Sequence, residues 1–493
     1  MNFLTLLLAI TAGLAVVGLF LGGMGVAFLV RRSRPVLGIL LSLFGLLLLV
    51  VGGGLGWSYR QGIGLLFEND YEADAGRWEQ LKNTDLGASG RQPALPGEWP
   101  QWRGYNRDGI SGETGLLPRW PKEGPPVRWR SPLGGGYSSA AVAGGRLYVM
   151  DKQRGQERVL CLDAASGKEL WAHRYDVDYA GLDYGAGPRA TPTIHDGRVY
   201  TVGATGVFLC LEAVAAGQDG RAKVLWEHHL LQEFNATPLR WGVACSPLIE
   251  GDLVIVQPGG RDGSVAAFDR RKGEKVWAAL SEVSGYSSPV AATVAGTRQV
   301  VCFTGKGVAG LRAADGVKLW SFPWATSYDC NVATPIVAGN YVFISSDYQA
   351  GCALLEVSAD GPGFNARPVY VRRDKLMRNH FSTCVLHEGC LYGFDVSGHG
   401  SVGRLKCVDL RTAEQKWDTG ALARGSVLYA EGHLVALTED GVLALVEATP
   451  EGFRQQGRCE VLQGSECWAP PALAAGLLYA RDGQELICLD LRK

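Results

Sequence analysis

The sequence predicts an all-β fold: an eight-bladed β-propeller of four-stranded blades, with a seven-bladed ring as the alternative, behind an N-terminal two-helix transmembrane hairpin. Three observations predict it. A strand–turn–strand element ending in Trp recurs: "CLDAASGKELW" at Cys161–Trp171, "AFDRRKGEKVW" at Ala267–Trp277, "LRAADGVKLW" at Leu311–Trp320 and "CVDLRTAEQKW" at Cys407–Trp417. The 67 glycines outnumber the 22 prolines three to one, as many short strands joined by tight hairpin turns require. The first 58 residues are almost purely apolar, unlike all that follows.

The repeat comes first because it sets the architecture. Eight units begin at Ser138, Ala190, Cys245, Ser287, Ala333, Ser382, Gly425 and Ala469, spaced 42 to 55 residues apart. Each reads as a short strand, a turn such as "DGR" or "EGD", an alternating strand, a third strand carrying the "CLD" element, and a fourth strand. Four antiparallel strands per unit at this period make a propeller blade. In "CLDAASGKELW" the acid stands eight residues before the Trp and the Gly four before it. The acid accepts turn N–H groups and the Gly takes positive φ. The Trp lands on the outer strand, where an indole of about 150–250 Å² packs on the next blade. Trp129, Trp171, Trp226, Trp277, Trp320 and Trp417 are thus expected to dock blades structurally. The fifth blade carries "RPVYV" near Tyr370 instead, and the seventh matches worst. The eighth unit stops after three strands, so "PVRWRSPL" (Pro126–Leu133) is expected to supply its fourth and close the ring. Closure removes two exposed sheet edges. Residues 127–493 are then the propeller, with 127–133 completing the last blade, and 59–126 are linker and pre-propeller segment.

Leu4–Val30 and Pro35–Trp57 contain no charged residue, and each is long enough to cross about 30 Å of hydrocarbon as a helix. Arg31, Arg32 and Arg34 lie between them, and Glu68, Asp70, Glu72 and Asp74 follow. The positive-inside rule keeps the arginines cytoplasmic. The propeller is therefore expected on the extracytoplasmic face, the periplasmic side of a bacterial inner membrane. No cysteine precedes Cys161, so no lipid attachment is expected near the start. The twelve cysteines include no CxxC and no adjacent pair, which argues against zinc or thioredoxin-like chemistry. Cys161, Cys210, Cys407 and Cys488 fall at comparable strand positions and read as core. Cys384/Cys390 and Cys459/Cys467 are near enough in sequence to pair. Lys plus Arg is 48 against 49 for Asp plus Glu, which leaves no basic footprint for nucleic acid.

Candidate sites are sought where the repeat breaks. The inner strands begin with Ser139, Thr191, Ser246, Ser288, Thr334, Thr383, Ser426 and Pro470; seven hydroxyls at one position are expected to satisfy backbone groups. Two residues earlier stand Tyr137, Arg189, Ala244, Tyr286, Val332, Phe381, Arg424 and Trp468. This set does not repeat. Tyr137, Arg189, Tyr286, Phe381, Arg424 and Trp468 at one channel mouth suit an anionic or planar ligand, or a peptide. Asp176, Asp178 and Asp183 offer carboxylates for a metal, though not at EF-hand spacing. His380 and His399 lie in loops, and no Ser–His–Asp or Cys–His grouping assembles from the sequence.

The "LDAASGKELW" pattern resembles the tryptophan-docking repeat of the PQQ-like, quinoprotein-type propellers. That superfamily holds the pyrroloquinoline-quinone (PQQ) alcohol and sugar dehydrogenases and the non-enzymatic BamB-like proteins. "WPQWRGYNRDGIS" (Trp99–Ser111) resembles the leader of membrane-anchored bacterial members. The resemblance runs from about Trp99 to Lys493. It implies either a binding or protein-interaction scaffold, or a dehydrogenase with PQQ and Ca²⁺ at the axis. The dehydrogenases sandwich the quinone between a Trp and a disulfide of adjacent cysteines, which this sequence lacks. The expectation is a non-catalytic module with a protein or peptide partner.

Overall fold

The computed structural model describes residues 81, 94–216, 222–361, 363–374, 376–396, 402–464 and 466–493. The expected membrane hairpin, residues 1–58, and His399 lie outside them. The described residues fall in one compact unit, 72–493, and none of their helices is long and apolar enough to cross a membrane.

Eight antiparallel sheets follow one another along the chain. Blades 1 to 7 span residues 141–176, 193–229, 248–279, 290–323, 336–372, 385–418 and 425–460, and blade 8 spans 472–490. Within each, the strands are hydrogen-bonded in chain order; blade 6 adds a two-residue strand, Leu422–Ala423. Blade 8 is completed by Val127–Pro132, whose Trp129 lies opposite Cys488. Eight sheets exclude the seven-bladed alternative.

The turn chemistry decides how blades meet. Asp163 accepts from the N–H and hydroxyl of Ser166 at 2.8 and 2.6 Å. Asp269 and Asp409 likewise each accept two turn N–H groups. The glycine four residues after the acid is left-handed, φ 72° at Gly167 and 79° at Gly273, as is Gly316 at 73°, where Arg312 stands in the acid's place. Each also lies under the indole of the preceding blade. A Cβ on Gly167 would stand 2.7 Å from Trp129, on Gly273 2.7 Å from Trp226, and on Gly316 2.6 Å from Trp277. The indole N–H then donates to a carbonyl of the next blade: Trp129 to Ala164, Trp171 to Ala213, Trp226 to Arg270, Trp277 to Ala313 and Trp417 to Thr449, at 2.7–3.4 Å.

Three blades depart from this scheme, each for a local reason. Blade 5 has no Asp–Gly turn at the docking position, because its last two strands run out to Asp360 and Gly363. Trp320 finds no turn carbonyl there and donates to Gln299 Oε1 of its own blade at 2.7 Å. Blade 5 carries Tyr370 at the Trp position, and its hydroxyl reaches the Leu410 carbonyl at 2.9 Å. The smaller ring leaves room for Ala413 where other turns need Gly, at φ 56°. In blade 7 the Trp position is Gly457, opposite Leu445. The indole comes from elsewhere: Trp120 of the pre-propeller segment lies on it, 2.7 Å from a Cβ placed there, and the Trp120 backbone N–H donates to the Gln456 carbonyl. Trp120 is 8% exposed. Its burial corresponds to about 2–3 kcal/mol of transfer free energy.

All twelve cysteines are free thiols, and all but Cys459 are buried. Neither Cys384/Cys390 nor Cys459/Cys467 forms a disulfide. Burial pushes the Cys245 thiol up to about 11 and the Cys384 thiol to about 12.

Candidate functional site

The eight residues that break the repeat line one cup of about 450 Å³. Each stands two residues before the residue that opens an inner strand, a hydroxyl in seven cases and Pro470 in the eighth, so ring symmetry carries all eight to one mouth. Four of the seven hydroxyls below bind backbone, whereas Thr191 Oγ1 and Ser426 Oγ have no partner and Thr334 Oγ1 accepts from Trp102. Ser246 accepts from Thr191 N–H, Ser288 from Ser246 N–H and Thr383 from Thr334 N–H, and Ser139 donates to the Pro470 carbonyl, at 2.6–3.0 Å.

One wall is a column of three rings. Trp468 is stacked between Tyr137, at 5.1 Å and 22°, and Phe381, at 5.4 Å and 28°. Glu439 fixes it, accepting the Trp468 indole N–H at 3.0 Å and both Nε and Nη2 of Arg424. Arg424 lies over Phe381 and Trp468. The Tyr137 hydroxyl donates to Glu466 at 2.9 Å; burial, then that carboxylate, push its phenol far above the usual range. Arg189 lies 5.5 Å over the Tyr137 ring and donates to the carbonyls of Gly187, Asp183 and Tyr184. Burial lowers its pKa.

The opposite wall was not legible in the repeat. Trp241 packs on Tyr286 at 5.3 Å, then on Tyr328 at 5.9 Å; Tyr328 meets Tyr348, and Tyr348 meets His380. Tyr184, Tyr328 and Tyr348 have φ of 51°, 62° and 55°. Left-handed backbone is costly for a bulky residue and marks sites where surroundings impose it. Tyr184 and Tyr328 are 53% and 51% exposed. These residues come from connecting loops of unequal length, so no period betrays them. Their one sequence signal is aromatic density outside strands.

The floor belongs to the pre-propeller segment. Trp102 lines the cup and donates to Thr334 Oγ1 at 2.9 Å. Its neighbours Arg103 and Arg107 face a cavity of about 530 Å³ on the other side of the ring. Arg103 donates to the carbonyls of Thr383 and Cys384 in blade 6, and Arg107 to those of Ser246 and Pro247 at blade 3. The segment therefore crosses the axis and closes the channel beneath the cup.

The expected carboxylate group does not form. Asp183 is ion-paired with Arg240, Asp176 accepts from Gln156, and Asp178 accepts the Ala180 N–H. Among the described residues no three His, Cys, Asp or Glu side chains are placed to hold a metal. The cup carboxylates Glu439 and Glu466 are engaged as above. With no disulfide, no calcium donor set and Trp102 across the axis, the residues present do not fit PQQ and its Ca²⁺.

A family model described as outer membrane protein assembly factor BamB matches residues 121–218 and 185–419. The chain belongs to this family. Beyond this BamB-like core, the chain is 26% identical over 211 aligned residues to quinohemoprotein alcohol dehydrogenase ADH-IIG of Pseudomonas putida, covering 38% of this chain and 26% of that protein. The match thus spans about a quarter of the curated relative's length. Among solved structures, quinohemoprotein alcohol dehydrogenase from Comamonas testosteroni superposes with a TM-score of 0.58 at 14% identity, covering 85% of each chain. BamB from Moraxella catarrhalis gives 0.51 at 15% identity, covering 74% of this chain and 97% of that one. At such identities the structures show a shared propeller. The BamB-like chain is thus a PQQ-type repeat protein related to the quinoprotein alcohol dehydrogenases.

Proposed function

We propose that this chain is a membrane-anchored, extracytoplasmic binding module that captures a protein or peptide partner in the cup and performs no catalysis. The observation that carries this reading is the convergence of the eight non-repeating residues on one aromatic mouth. Trp, Tyr and Arg are the residues that dominate interface hot spots, and tyrosines supply large amphipathic contact area at low entropic cost. The closed floor supports end-on capture of a ligand, and the cup carboxylates Glu439 and Glu466 are already engaged by Arg424, Trp468 and Tyr137. Residues 1–58 would anchor the module in a bacterial inner membrane, with Arg31, Arg32 and Arg34 holding the hairpin's turn inside. Protease added to spheroplasts should then digest the propeller.

Two experiments test the reading. A photo-crosslinking residue at Tyr184 or Tyr328 of the full chain, in native membranes, should trap one partner, and Trp468→Ala should abolish the adduct. The same residue at Lys272, on an outer turn, should trap none; equal trapping there would overturn the reading. Separately, PQQ and Ca²⁺ added to the purified full chain should give no quinone absorbance and no dye reduction with alcohols or aldose sugars. Saturable reduction would establish a quinoprotein dehydrogenase instead.

A further inference from the structure

We infer that Arg189, Tyr286 and Trp241 form a carboxylate subsite within the cup, and that it takes the C-terminal carboxylate of the partner's polypeptide. The inference rests on the binding reading above and names what one wall of the cup recognises. Arg189 is the starting point. Three of its five N–H groups are given to the backbone carbonyls of Gly187, Asp183 and Tyr184. Carbonyls hold the guanidinium in place without neutralising it. Among the described residues no carboxylate lies within ion-pair distance of it; Glu157 acts on it only from farther off, and the other carboxylates around it are committed elsewhere. Asp183 pairs with Arg240 and Glu439 with Arg424. Glu466 accepts from Tyr137, and Glu157 accepts from Tyr175, Tyr179 and the Ala204 N–H.

Two orphaned donors complete the set. The Tyr286 side chain is 6% exposed, and its O–H has no acceptor. The Trp241 indole N–H is buried and has none either. The two rings lie 5.3 Å apart on the cup wall. Arg189 acts electrostatically on the Tyr286 phenol, so the three groups share one neighbourhood. An unsatisfied buried donor costs about 1–3 kcal/mol, and a desolvated cation with no carboxylate in contact costs more. An amide carbonyl could accept from the donors but would leave the charge. A carboxylate meets both needs, with about four lone-pair sites and charge-assisted bonds. The closed floor selects the source. Trp102 blocks passage, so a polypeptide cannot thread the ring and enters by its end.

The test is calorimetric titration of the full chain in detergent with acetyl-Ala-Ala-Phe, as free acid and as C-terminal amide, with inorganic phosphate as a third probe. The acid should bind at least tenfold more tightly than the amide. Tyr286→Phe keeps the ring and removes the O–H; it and Arg189→Gln should each weaken the acid about tenfold and leave the amide unchanged. Unchanged thermal midpoints of both variants keep the comparison one of binding. Equal affinity of acid and amide would overturn the subsite, as would acid binding indifferent to both variants, or no saturable acid binding at millimolar concentration. Phosphate binding as tightly as the acid would overturn the polypeptide assignment. The two readings fail separately. If acid and amide bind equally and Trp468→Ala or Phe381→Ala abolishes both, the cup stands and the subsite falls. PQQ-dependent dye reduction would remove the non-catalytic reading whatever these titrations give.

Discussion

At the scale of single residues, the interfaces between blades work as matched pairs, an indole on one side and a side-chain-free turn on the other. Gly273 lies under Trp226 at φ 79°. Gly273→Ala is expected to lose about 1–3 kcal/mol, from the left-handed penalty plus overpacking, read as a lower urea midpoint. Ala413 tolerates the same backbone because Tyr370, not Trp, faces it. Trp120 shows the pairing at its clearest. Blade 7 has Gly457 at the indole position, and the pre-propeller segment supplies the ring. Trp120→Ala should therefore cost about 3–5 kcal/mol, as for a core aromatic. A merely attached leader would give no change in midpoint. The sequence marks blade 7 as a poor match, but a pairing across 337 positions has no signature in a single chain.

At the scale of elements, the recurring turn carries a titrating group. Hydrogen bonds from the Ser166 hydroxyl and N–H hold Asp163 below the usual carboxylate range, and the Lys272 and Arg271 N–H groups do the same for Asp269. A carboxyl whose folded pKa is depressed contributes stability above its unfolded pKa of about 3.9, and that contribution is lost as pH falls through the folded value. Urea midpoints should be flat near neutrality and fall below about pH 4. Asp163→Asn keeps the acceptor but not the charge; it should lower the midpoint at neutral pH and blunt the acid loss. The loops behave differently from the turns. They share no register, so Tyr184, Trp241, Tyr328 and Tyr348 are invisible to a periodic reading although they form half the cup.

At the scale of the whole molecule, closure of the ring makes the site. Arg481 of blade 8 is 2% exposed and donates to Gly134 beyond the N-terminal strand and to Met150 of blade 1, at 2.8 and 2.9 Å. Burial lowers it to about 10. Arg481→Met strands those carbonyls at about 1–3 kcal/mol each. Hydrogen exchange should then show Val127–Pro132 losing protection before Leu253–Val256 of blade 3; uniform loss would show that Arg481 does not hold the seam. The cysteines report the same closed core. The thiolate is the reactive form, so burial that pushes Cys245 to about 11 and Cys302 to about 12 should leave those thiols of the folded chain unlabelled by a thiol reagent at pH 8. Half-buried Cys459 should react first, and all twelve on unfolding.

The sequence by itself determined the four-stranded blade, the strand order, the closing strand and the ring of non-repeating positions, because each is written in a local period that the backbone must obey. Tertiary structure alone decided that the ring has eight blades and not seven, that a leader residue fills blade 7, that Trp102 closes the axis, and that Arg189 has no carboxylate in contact beside two orphaned donors. Those facts depend on which groups meet across distant loops, and on what each has already spent on its neighbours.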